Sequence, residues 1–200
     1  METHLKENTL LEEKQSAYRK YHSTETALLD VTSSLFDQAD GGQVSVLTLL
    51  DLSAALDTLD HSILLRRLET TFGICGMALK WFDSYIKRLQ SVVINGLPSK
   101  PVLLHYGVPQ GSVLGPILFT LYTQPVSHVM CKHNCSFHKF ADGTQLRKSA
   151  LPCDFKLLTY SLECCIKEVK QWMTCNKLKL NDDKTEAMTV GTHFRSGVFL

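Results

Sequence analysis

From Ser23 to Phe36 the apolar residues Ala27, Leu28, Val31 and Leu35 recur at spacings of three and four, which predicts a helix with one apolar face. Ser23 and Thr24 are its candidate N-caps. Asp40-Gly41-Gly42 predicts a turn, and the nearly all-apolar, partly β-branched run from Val44 to Leu50 predicts a buried strand. Helices are predicted from Asp60 or His61 to Leu68, from Met77 to Arg88, from Ser112 to about Val129, and from Asp154 to Asn176. The strand-like runs Gln90–Asn95 and Val102–Tyr106 flank Gly96-Leu97-Pro98-Ser99-Lys100-Pro101, a hairpin signal. A second hairpin joins Ser136–Ala141 to Thr144–Lys148, with the turn-favouring pair Asp142-Gly143 expected at its tip. Thr185–Val190 predicts a last strand, whereas the polar first dozen residues have no register and are expected to fray. Strand, helices, hairpin, helix, hairpin, helix, strand is the order of an α+β fold, with an antiparallel sheet and helices on one face.

Composition narrows the function classes. A chain of 200 residues with 44% hydrophobic and 20% charged residues suits a globular domain with a real core. The net charge of +1 carries no global signal for nucleic acid, so any such contact rests on local clusters: Arg19/Lys20, Arg66/Arg67, Lys87/Arg88 and Lys132 through Lys148. Seven cysteines in no regular framework, with no signal peptide ahead of them, point to a reducing, intracellular compartment, nuclear or cytoplasmic. The longest apolar run, Val113–Tyr122, is too short for a membrane span and carries Gly115 and Pro116. Cys131, His133, Cys135 and His138 are zinc-capable, but their spacing matches no closed site and reads as a turn leading into a strand.

Five segments bear chemistry in a fixed order: Gln15–Ala27, Leu49-Leu50-Asp51-Leu52-Ser53-Ala54-Ala55-Leu56-Asp57, Gly107-Val108-Pro109-Gln110-Gly111-Ser112-Val113-Leu114-Gly115-Pro116, Phe140-Ala141-Asp142-Gly143, and Leu178–Glu186. Taken alone, Asp51 reads as a polar residue closing a strand and Asp142 as the first residue of a turn. Together the five segments, from about Gln15 to about Gly191, resemble the reverse transcriptase domain of non-LTR (LINE-type) retrotransposons.

That resemblance implies a polymerase palm-like sheet. Residues 1–43 would be a partial fingers segment, 44–191 the palm-like core and 192–200 a truncated tail, with no thumb and no preceding endonuclease. It implies an RNA template, a DNA primer and deoxynucleoside triphosphates as partners, no membrane, and Mg²⁺ or Mn²⁺ as cofactor. Asp51 and Asp142 would hold metal, since hard divalent ions take carboxylate oxygens and nucleotidyl transfer uses two such ions. The family's second aspartate is Gly143 here, which weakens the site. Leu56 stands where an aromatic usually lies under the incoming sugar. Gly107, Pro109, Gln110 and Gly111 would approach template base and nucleotide, and Arg19 and Lys20 the triphosphate or template backbone. Lys184 would protonate the departing pyrophosphate, or is simply a surface lysine. Asp57 matches a family aspartate, but Asp57 and Asp60 are equally good helix caps. Two readings follow: an RNA-directed DNA polymerase domain with impaired activity, or a non-catalytic relic that at most binds nucleic acid.

Overall fold

The computed structural model describes residues 1–109 and 111–191. In chain order the elements are α1 (Glu2–Glu7), α2 (Thr24–Asp40), β1 (Val44–Leu50), β2 (Leu52–Ser53), α3 (His61–Thr70), α4 (Gly76–Ile86), β3 (Leu89–Gln90), β4 (Val93–Ile94), β5 (Leu97–Pro98), β6 (Val102–Leu103), α5 (Leu114–Thr123), α6 (Val126–Lys132), β7 (Ser136–Phe140), β8 (Gly143–Ala150), α7 (Phe155–Cys175), β9 (Lys179–Leu180) and β10 (Glu186–Val190). The chain packs as two units. The smaller joins Met1–Leu11 to Ala54–Thr123, and the larger joins Glu12–Ser53 to the chain from Gln124 onward.

The larger unit is built on an antiparallel sheet in the order β10-β1-β8-β7. The central strand β1 is buried almost throughout, as its continuous apolar run requires. Alternation sends Leu47 and Leu49 to one face, where they pack with Val31 and Leu35 of α2 and with Val190. Arg147 on that face reaches Ser34 of α2 at 3.2 Å. On the opposite face Lys139 reaches Ser127 of α6 at 3.0 Å and Lys148 reaches Ser161 of α7 at 2.6 Å. The fold is thus α+β with an antiparallel sheet flanked by helices, on both faces where the element order had suggested one.

α2 starts with a reciprocal cap: the Thr26 N–H donates to Ser23 Oγ at 3.3 Å and the Ser23 N–H to Thr26 Oγ1 at 2.9 Å. Its buried stripe is Ala27, Val31 and Leu35, while Leu28 is exposed. Residues 14–16 add themselves to the sheet edge beside β7. The Lys139 N–H donates to the Lys14 carbonyl at 2.7 Å, and the Ser16 N–H to the Lys139 carbonyl at 3.0 Å. His138 locks this edge down, with Nδ1 3.0 Å from Asp30 Oδ2 and Nε2 2.8 Å from Ser16 Oγ. Burial pushes the Asp30 carboxyl up, but the His138 hydrogen bond and the nearby Lys14 and Arg147 charges outweigh it and hold the group below its usual range.

In the smaller unit Asp60, not Asp57, caps α3: its carboxylate accepts from the N–H groups of Ser62 and Ile63 at 2.9 and 3.0 Å. Leu64, Leu68, Phe72, Ile86, Leu118 and Tyr122 are buried here. The Arg67 guanidinium lies 4.9 Å from the Tyr122 ring centre and donates to the Tyr122 carbonyl. The start of the chain does not fray. It forms α1, pinned by Leu5, which is 1% exposed, and by His4 Nε2, 2.8 Å from the Phe72 carbonyl. One well-placed leucine has no periodicity to reveal it.

Two further expectations are corrected. The single helix over 112–129 is two helices, α5 and α6, broken at Gln124-Pro125. Proline has no N–H to continue the ladder, and it disfavours helical geometry in the residue before it. In the β7–β8 hairpin Phe140 pairs with Gly143, so the tip residues are Ala141 and Asp142, and the left-handed φ of 55° falls on Ala141. The buried pair Phe137–Leu146 sets this register, because a one-residue slip would turn both side chains off their face.

Candidate active site

The register of β1 and β8 positions the two candidate metal carboxylates. Leu50 lies opposite Thr144. Asp51 follows Leu50 directly and Asp142 stands two residues before Thr144, so both leave the same end of adjacent antiparallel strands. The last motif is stitched to the same place: β9 pairs with β2, and the Asn181 N–H donates to the Asp51 carbonyl at 2.9 Å. Lys184 Nζ then lies 3.2 Å from Asp51 Oδ2.

The first motif also arrives here. Gln15 Nε2 donates to the Ala141 carbonyl at 3.3 Å. Burial raises the pKa of the Tyr18 phenol, and the charge of the Asp142 carboxylate adds to the rise. Gln15 and Tyr18 both lie in the Gln15–Ala27 motif, whose sequence gives neither a role of its own. Tyr18 takes a left-handed φ of 62° that a non-glycine residue rarely adopts, and no residue type advertised it. Arg19 turns inward instead. Its Nη1 donates to the carbonyls of Glu12, Glu13 and Gln15 at 3.0, 3.1 and 3.2 Å, closing its own loop. Lys20 is exposed, with its ammonium 4.8 Å from the centre of the Tyr21 ring.

Among the described residues no group of three or more His, Cys, Asp or Glu side chains is arranged to hold a metal ion. The available donor set is two hard carboxylates, Asp51 and Asp142. Two carboxylates suit one Mg²⁺ or Mn²⁺ that takes its remaining oxygens from water or a triphosphate. Gly143 offers no third donor, and a cation at Asp51 must share that carboxylate with Lys184. The two zinc-capable histidines are used otherwise: His133 Nε2 lies 2.7 Å from Glu168, and His138 bonds Asp30 and Ser16.

In the smaller unit the glycine-rich loop runs back over the segment after Asp51. The Gly107 N–H donates to the Leu59 carbonyl at 2.8 Å, the Val108 N–H to the Leu56 carbonyl at 3.0 Å, and His61 Nε2 to the Gly107 carbonyl at 2.7 Å. Leu56 is therefore joined to Val108 despite their separation in sequence. The Pro109 carbonyl accepts from Ser112 Oγ at 2.6 Å, and that oxygen accepts the Gly115 N–H at 3.0 Å. Gly107 and Gly111 have left-handed φ values of 81° and 71°. Gln110 lies outside the described residues, as does the 192–200 tail.

A family model described as reverse transcriptase (RNA-dependent DNA polymerase) matches residues 1–196. The chain belongs to the reverse transcriptase family. Among curated relatives of this reverse transcriptase chain is the probable RNA-directed DNA polymerase from transposon BS of Drosophila melanogaster, 26% identical over 190 residues. The match spans 90% of this chain but only 20% of that protein. Among solved structures, apo telomerase from Candida tropicalis, truncated from its C-terminal domain, superposes with a TM-score of 0.68 at 14% identity, covering 90% of this chain and 36% of that one. Telomerase from Candida albicans, in complex with a fragment of telomeric RNA, gives 0.61 at 16% identity, covering 93% and 33%. At those identities the likeness is one of fold. No helix among the described residues is long and apolar enough to cross a membrane.

Proposed function

We propose that this chain is the RNA-directed DNA polymerase core of a non-LTR (LINE-type) retrotransposon, with a weakened metal site. Residues 1–43 serve as partial fingers and 44–191 as the palm-like core. The observation that carries the reading is the β1–β8 register, which delivers Asp51 and Asp142 to one end of the sheet. A divalent ion bound there would supply the positive charge that nucleotidyl transfer needs at the triphosphate. Asp51 and Asp142 would hold it. Lys184, paired with Asp51 at 3.2 Å, would hold a proton for the leaving pyrophosphate. Leu56 would offer an apolar side chain to the sugar, and the Gly107, Pro109, Gln110 and Gly111 motif would contact template and nucleotide. Lys20 offers a free positive charge to phosphate, whereas Arg19 acts by shaping its loop. The second reading, a non-catalytic relic, is favoured by Gly143 itself.

Gly143 is open to repair. A Cβ built there meets only the Phe140 carbonyl, at 3.4 Å, and no left-handed φ opposes a side chain. Gly143→Asp is expected to tighten Mn²⁺ binding by roughly 10–100-fold, since even outer-shell partners of a metal carry that much. Calorimetric titration of the parent and Gly143→Asp measures this, with Asp142→Asn as the zero. Primer extension on an RNA template follows, with and without Leu56→Phe, which should sharpen the preference for deoxynucleotides. Equal Mn²⁺ affinity in all three proteins would remove the metal-site assignment. Parent extension that survives Asp51→Asn and Asp142→Asn would remove the mechanism.

A further inference from the structure

The smaller unit carries a pocket in whose wall the reading above uses only Gly107. It encloses about 600 Å³ and is lined by Asp57, Arg88, Leu89, Gln90, Leu104, Tyr106, Gly107 and Val108. Arg88 sits where α4 ends and β3 begins, and its Nε is buried without a hydrogen-bond partner. A buried, unmatched donor on a guanidinium costs stability unless a ligand meets it. Tyr106, 55% exposed, stands at the rim with its ring available.

From the pocket projects the two-rung hairpin of β3–β6, in which every residue from Leu89 to Leu103 is exposed. Val92, Val93, Ile94, Leu97 and Val102 are bare apolar surface there. Between Ser84 and Thr123 the chain has no Asp or Glu, and its Lys and Arg residues are Lys87, Arg88 and Lys100. Lys87 is paired with Asp83 at 2.6 Å, which leaves Arg88 as the pocket's cation. A segment that is apolar and cationic and carries no Asp or Glu complements a polyanion that also carries flat hydrophobic rings.

Resting on the polymerase reading, we infer that this pocket is a single-stranded RNA subsite, with Arg88 gripping a backbone phosphate and Tyr106 stacking on the adjoining base. Arg88 and Tyr106 are binding residues that no family motif named above contains. The site adjoins the Gly107 loop, so it would hold the strand next to the nucleotide being read.

The test uses the whole chain and a short fluorescent single-stranded RNA, with affinity read by anisotropy over a salt series. Arg88→Gln is expected to weaken binding about tenfold or more and to flatten the salt dependence by about 0.7 in the log–log slope, the loss of one phosphate contact. Arg88→Lys should keep the slope and lose affinity, because it keeps the charge but not the fork. Tyr106→Ala should cost roughly 5- to 150-fold and Tyr106→Phe almost nothing, since stacking needs only the ring. Circular dichroism confirms that each variant is folded, and Arg88→Lys and Tyr106→Phe serve where harsher changes are not. Parent-like binding by Arg88→Gln and Tyr106→Ala would overturn the subsite and leave the polymerase reading standing. A parent that binds no RNA would overturn both. Hairpin-dependent self-association in sedimentation, with RNA affinity unchanged by the variants, would reassign the surface to a protein contact.

Discussion

Gly107→Ala is expected to destabilise the protein by about 2–4 kcal/mol, measured by urea unfolding. Two effects add. A left-handed φ, here 81°, costs an L side chain about 1–2 kcal/mol. A Cβ at this position would also meet the Asp57 carbonyl oxygen at 3.0 Å, its Cα at 3.2 Å and its carbonyl carbon at 3.3 Å. These are main-chain atoms and cannot swing aside. Relief requires the loop to lift, which strains the hydrogen bonds to Leu59, Leu56 and His61. Gly111→Ala separates the two effects, for Gly111 has a φ of 71° but nothing within 4 Å of a built Cβ. It should lose only the conformational part, about 1–2 kcal/mol. Equal losses at the two glycines would show that the close approach to Asp57 has no energetic weight.

Lys139→Met should stabilise the protein at pH 7, by about 1–3 kcal/mol, and the gain should vanish in alkali. Lys139 is 3% exposed. Burial pushes its ammonium down from the usual 10.5 to about 8, opposed only by Glu12, 3.9 Å away. The folded pKa lies below the unfolded one, so between about pH 8 and 10.5 the unfolded chain binds more protons and stability rises with pH. Below pH 8 both states are charged, and the folded protein carries the full cost of burying that charge, about 3 kcal/mol. Methionine removes this cost but gives up the bond to Ser127, worth about 0.5–1.5 kcal/mol. Stabilities of parent and variant, compared by urea unfolding at pH 7 and pH 10, isolate Lys139 from other groups that titrate in alkali. A variant less stable than the parent by the same amount at both pH values would show that the buried charge is already compensated.

Much of this molecule was legible along the chain because the signals are local. The β-branched apolar run of Val44–Leu50 is the strand it promised, Ser23 caps its helix, and Phe155–Cys175 follows its amphipathic period. The ordered motifs pointed to the reverse transcriptase family that residues 1–196 match. What escaped notice depended on partners far away. Gln15 acquires its meaning from the Ala141 carbonyl, 126 residues away in sequence. Arg19 closes its own loop through Nη1, a contact that its residue type does not announce. Arg88 was legible only as half of the Lys87/Arg88 basic cluster and Tyr106 not at all, and only the pocket wall brings them together.

The sequence by itself determined the α+β class, the reverse transcriptase family and most of the longer helices and strands, since each is written in residue type and local spacing. Only the tertiary structure decided which residues share an environment. It split the helix at Pro125, moved the hairpin tip onto Ala141 and Asp142, placed Lys184 on Asp51, and left Arg88 Nε buried without a partner. The reason is physical: propensity and periodicity act over a few residues, whereas register, burial and charge pairing are set by strands and helices that meet only when the chain folds.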